Sequence, residues 1–240
     1  MSLLRSQAEV GLYGAPYKIL EVLINVIYLF LGLILPLLAS AVASNNFGRL
    51  KKIIQAVFDF LIILSVPLII GGWFLGRPMM IFMAGPDFAI SGDLIKILLL
   101  ATVIIFLAAL FGYVIIALDK QKQMIKFYAI NAIISIIAYL IFIPIYSYWA
   151  AAWITVLSEL FILLNAFLVV KKTITFQPHL NLLGKVILAS LIMAIPLTAW
   201  PQLPFLTLLI LGVAVYFVVL YLIRGLDRQL IAEIIAIKNK

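Results

Sequence analysis

Residues 94–118 read LIKILLLATVIIFLAALFGYVIIAL, twenty-five positions with Lys96 as the one charge. As a helix rising about 1.5 Å per residue, this run is long enough to cross a bilayer core of roughly 30 Å. Helix is the open form available to it, because backbone groups left unpaired in lipid cannot be hydrated. The rest of the 240-residue chain repeats the pattern. Further apolar blocks lie near 17–43, 53–75, 124–145, 149–170, 183–200 and 205–223, so seven transmembrane helices are expected. Composition agrees: 67% of residues are apolar and 11% charged, where a soluble domain carries about 25% charge. That excludes a soluble globule and predicts an all-α, polytopic membrane protein.

Turn residues mark the joints. Asn45-Asn46-Phe47-Gly48 ends the first span, Gly76-Arg77-Pro78 ends the second, and Pro201-Gln202-Leu203-Pro204 turns between the last two. Pro36, Pro67, Pro144 and Pro196 fall inside or at the ends of spans. There they kink or end helices, and neighbouring helices must satisfy the carbonyls they free. Gly72 and Gly76 have close-packing spacing, but at a span's end they read as a helix terminus. The chain has no Cys, hence no disulfide frame, thiolate metal site or thiol nucleophile. Met1 to Pro16 contains Arg5, Glu9 and two glycines and does not read as a cleavable signal peptide.

The 17 basic residues outnumber the 9 acidic ones, a net charge of +8. In a chain of apolar spans this excess is a topology signal and not a nucleic-acid footprint. Arg49, Lys51, Lys52, Lys120, Lys122, Lys126, Lys171, Lys172, Lys185, Arg224, Arg228, Lys238 and Lys240 fall on one side. Arg5, Lys18, Arg77 and Lys96 fall on the other. The asymmetry predicts a cytoplasmic C-terminus and an outside N-terminus in the cytoplasmic membrane. An odd number of spans with an outside start means either that a short N-terminal tail crosses unaided or that an upstream helix is missing and the chain is the C-terminal part of a longer transporter. Residues 1–223 form the expected bundle. In 224–240, Leu226, Leu230, Ile234 and Ile237 recur at helical spacing, predicting an amphipathic helix on the cytoplasmic surface.

Phosphate-loop, dinucleotide and nucleophile-elbow motifs are absent. His179 is the one histidine, so neither a His-based metal cluster nor a His relay is available, and neither catalytic residue nor cofactor is expected. Polar residues inside spans carry more information. Lys18, Glu21, Asn25 and Tyr28 share one face of the first span, continued by Gly32 and Pro36. Gln55 and Asp59 lie four apart in the second, Asn131, Ser135 and Tyr139 align in the fourth, and Thr155, Ser158 and Asn165 align beside Glu159 in the fifth. Charges at the bilayer centre cost about 2.5–3.5 kcal/mol on insertion scales, so these faces should meet a hydrated cavity or the bundle interior. The alternative for the neutral residues is interhelical hydrogen bonding. Lys18, Glu21, Asn25, Tyr28, Gln55, Asn131 and Tyr139 are the candidate substrate-binding residues, and Asp59 and Glu159 the candidate ion-coupling residues.

Several segments resemble bacterial polysaccharide-repeat flippases of the multidrug/oligosaccharidyl-lipid/polysaccharide exporter superfamily. Glu9 to Lys18 is similar to the segment "vGxYxxAyk", and Leu35-Pro36-Leu37-Leu38-Ala39 to "lxPxla". Met83 to Phe88 resembles "lfGxxf", and Leu118 to Lys122 resembles "lxxxkqk". Ile143 to Tyr146 with Ala150 to Glu159 resembles "iPxyGxxGAaxaTxxsE", although Ser147 and Ala150 stand where glycines are usual. The resemblance covers residues 9–159. It implies one part of a two-lobed, roughly fourteen-helix transporter: the C-terminal lobe without its first helix, plus two extra helices. Such proteins move lipid-linked oligosaccharide across the cytoplasmic membrane by alternating access, often coupled to protons or sodium. A chain without the N-terminal lobe would be inactive alone. On that view Asn25, Tyr28, Gln55, Asn131 and Tyr139 serve the sugar. Lys18 contacts phosphate near the outer exit, or else snorkels to the interface or pairs with Glu21. Glu159 takes up and releases a proton, or pairs with a base in the missing lobe.

Other readings stay open: a multidrug or cation antiporter of the same superfamily, a membrane glycosyltransferase or polymerase, and a bundle in which copies of the chain replace the missing lobe. The enzyme reading is weakest, because Tyr146 to Tyr148 and Pro201 to Pro204 carry no charge and residues 76–93 form the one longer outer segment.

Overall fold

The computed structural model describes residues 6–225, and among them every regular element is helical. The helices are α1 (Gln7–Ala43), α2 (Phe47–Ala84), α3 (Ser91–Ala117), α4 (Gln121–Ile174), α5 (Asn181–Ala199) and α6 (Phe205–Leu222), with a 3-10 turn at Pro86–Phe88. All six helices are long and apolar enough to cross a membrane. Of the amphipathic tail expected at 224–240, residues 226–240 lie outside the described residues.

Helix α4 accounts for the difference between six helices and seven expected spans. Its 54 residues would measure about 81 Å if straight. At Ser147 the backbone turns to φ 52° and ψ −135°, which no helix contains, and the chain reverses. Tyr139 Oη then stands 3.3 Å from Thr155 Oγ1, a pair that a straight helix would hold about 24 Å apart. The limbs 121–146 and 148–174 are therefore the fourth and fifth spans.

Two span ends need correction. Helix α1 begins at Gln7 rather than near 17, because Ser6 and Glu9 form a reciprocal capping box. Helix α2 does not stop at Gly76-Arg77-Pro78 but runs on to Ala84. Gly72 and Gly76 are close-packing residues after all. A Cβ at Gly72 would overlap the Leu99 side chain, and one at Gly76 would lie 2.5 Å from the Gly92 carbonyl oxygen. Their bare backbone lets α3 approach α2, which is how helices gain contact in lipid, where apolar surface alone gives little drive.

Helix α3 is the central element, packed against α1, α2 and α4, while α5 and α6 pack on α2 and on each other. Leu31, Leu38, Leu50, Ile54, Leu110 and Val114 form the fully buried centre of the main core. Side-chain contacts sort the joints into two ends. Lys51 donates to Thr175, Gln55 pairs with His179, and Lys185 donates to the Arg224 carbonyl, joining the lysine-rich ends of the helices. At the opposite end Ser91 donates to the Leu12 carbonyl, Ser147 to Glu9, and Phe82 meets Phe205.

Candidate functional site

Helices α1, α3 and both limbs of α4 border two open cavities along one flank of the bundle, of about 520 and 560 Å³. Tyr28, Tyr113, Gln121, Tyr128 and Asn131 supply the polar lining of the first. Tyr13, Tyr17, Tyr139, Thr155 and Ser158 supply that of the second. Glu159, half-buried near the middle of the second limb of α4, lines both.

The flank is held by short polar contacts. Thr155 donates its hydroxyl proton to the Ala151 carbonyl at 2.9 Å, so Tyr13 Oη at 3.4 Å and Tyr139 Oη at 3.3 Å donate to Thr155. One hydroxyl thus ties α1 to both limbs of α4. The Tyr13 and Tyr17 rings stack at 5.7 Å, and Tyr113 donates to the Tyr28 carbonyl at 3.3 Å with their rings 6.4 Å apart. Glu159 makes neither a hydrogen bond nor an ion pair with any described residue. In a half-buried setting a carboxylate is costly unless something compensates it.

Four of the residues proposed from sequence meet on this flank: Tyr28, Asn131, Tyr139 and Glu159. The others do not. Lys18 is 79% exposed and binds Glu21 at 2.7 Å, and neither lines a cavity here. Asn25 is exposed on α1. Gln55 and Asp59 lie in a separate hollow of about 460 Å³ at the lysine-rich end, with Lys51, Lys52, Thr175 and His179. There the Gln55 amide donates to Asp59 at 2.8 Å and to the His179 carbonyl at 3.0 Å, and accepts from the His179 N–H at 2.9 Å. Gln55 therefore fastens the loop between α4 and α5 to α2.

Sequence reasoning missed Tyr13, Tyr17, Tyr113 and Tyr128. Tyr13 and Tyr17 sit four apart, a signal that was available. Tyr17, Glu21, Ile24 and Tyr28 continue that line, whereas Lys18 and Asn25 are one residue, or about 100°, away from it. No model of a known protein family matches the chain, and no curated protein matches it in sequence.

Proposed function

We propose that this chain forms one wall of a transport path for lipid-linked oligosaccharide in the cytoplasmic membrane. A second lobe or second chain closes the open flank, and alternating access moves the substrate across. The N-terminus lies outside and the C-terminus in the cytoplasm. The observation that carries this reading is the convergence of six tyrosines, Asn131, Thr155 and Glu159 on one open flank of an otherwise apolar bundle. Tyrosine presents an apolar ring to the C–H face of a sugar and a hydroxyl to its oxygens. A carboxylate among membrane spans points to an ion or proton pathway. In this reading Glu159 couples transport to proton or sodium movement, and the tyrosines and Asn131 bind sugar.

The test is flipping of a fluorescent lipid-linked oligosaccharide in cells that produce the chain with its natural complement. Glu159→Gln should lower the rate at least tenfold without loss of membrane abundance, whereas Gln202→Ala, in the turn between α5 and α6, should not. Full activity of the Glu159→Gln variant would remove the coupling role.

A further inference from the structure

Neither cavity on the Glu159 flank is lined by Lys, Arg or His. That is unlike a site for pyrophosphate, which charged donors hold best. Lys18 follows Tyr17 directly on α1, but it is engaged by Glu21 at 2.7 Å and lies outside both linings. What the flank presents is one carboxylate with three tyrosines on either side: Tyr28, Tyr113 and Tyr128, then Tyr13, Tyr17 and Tyr139. A carboxylate attracts a cation directly, and an aromatic face attracts it through the ring quadrupole, more strongly as water is excluded. Glu159 has no hydrogen-bond or ion-pair partner among the described residues, so a bound cation would supply the compensation its burial calls for. The two cavities leave room for more than a bare ion.

We propose that the Glu159 flank recognises a ligand through a protonated amine. The ammonium donates to the Glu159 carboxylate while the group that carries it lies against the tyrosine rings. The carrier rests on the saccharide reading above: an amino-sugar residue of the oligosaccharide occupies the flank, and the pyrophosphate does not. The same ammonium chemistry on a simple organic cation is the other source, and the experiment separates the two.

The full chain, purified in detergent, is titrated with a glucosamine trisaccharide, its fully N-acetylated form and ethanolamine, with intrinsic fluorescence as the readout. The amine trisaccharide should bind at least tenfold more tightly than the acetylated one, as expected for hydrogen bonds to a charged partner. Glu159→Gln should erase that preference and leave the weaker binding of the acetylated sugar, and Glu159→Asp, which keeps the charge, should retain it. Equal binding of the two sugars by the unaltered chain overturns the amine and leaves the saccharide reading standing. Ethanolamine binding as tight as that of the amine sugar, and lost in Glu159→Gln, upholds the amine and overturns the saccharide reading in favour of an organic-cation antiporter. Absence of binding by all three overturns both.

Discussion

Ser147 reverses α4 at φ 52° and ψ −135°, in a region that side chains other than glycine's rarely enter. Such a residue costs on the order of 1–3 kcal/mol. The serine is held by its own hydroxyl, which donates to Glu9 Oε1 at 2.7 Å and ties the reversal to the first turn of α1. Two substitutions separate these effects. Ser147→Ala loses the hydrogen bond and keeps the strain, whereas Ser147→Gly loses the same bond and relieves it. Chemical unfolding in detergent should therefore rank glycine above alanine by about 1 kcal/mol, with the unaltered serine above alanine. An alanine variant as stable as the glycine one would mean the backbone there is not strained. Glu159 was legible from sequence as a charge in mid-span. Of the tyrosines that share its cavities, Tyr28 and Tyr139 were legible as well, but Tyr113 and Tyr128 were not tied to it, because they arrive from other spans and no periodicity within one helix links them to Glu159.

At the scale of elements, two helix prolines are answered by hydroxyls from neighbouring helices. Pro67 has no N–H, so the Ile63 carbonyl one turn earlier loses its intrahelical donor. Tyr216 of α6, almost wholly buried, donates to that carbonyl at 2.7 Å. Pro16 likewise frees the Leu12 carbonyl, which accepts from Ser91 of α3 at 2.7 Å. These bonds dock α6 on α2 and α3 on α1 at fixed registers. Tyr216→Phe should cost about 1 kcal/mol, the scale measured for hydrogen bonds between membrane helices. In a Pro67→Ala background the restored N–H satisfies Ile63, and Tyr216→Phe should become nearly neutral. A thermal-unfolding double-mutant cycle reads this coupling, and additive effects would break the assignment. The need for such partners was predictable from the prolines, but their identity depends on packing between distant segments. Span ends divide the same way. The ends at Ala43 and Ala199 are set by the turn residues just after them, which sequence alone reveals. The run of α2 through Gly76 and Pro78 follows from its contact with Gly92, which lies in another helix.

For the whole molecule, the reversal at Ser147 decides the topology. If residues 121–174 crossed once, the loop after α4 would lie opposite the loop before it, and the turn at Trp200–Pro204 would change sides. With the hairpin, Lys51 meets Thr175 and Gln55 meets His179, so the loop after α4 lies at the same end as the start of α2. The lysine-rich joints then gather at one end, and on the orientation proposed above that end faces the cytoplasm. Because the chain has no cysteine, each introduced one is unique. Gln202→Cys should react with a membrane-impermeant thiol reagent added to intact cells. Gln123→Cys and Gln177→Cys, on either side of the hairpin, should react only after the cells are opened. Labelling of Gln177→Cys but not Gln123→Cys in intact cells would put the two ends of α4 on opposite faces and rule out the hairpin. Labelling of both, with Gln202→Cys protected, would keep seven crossings and invert the orientation, turning the Lys51–His179 hollow outward.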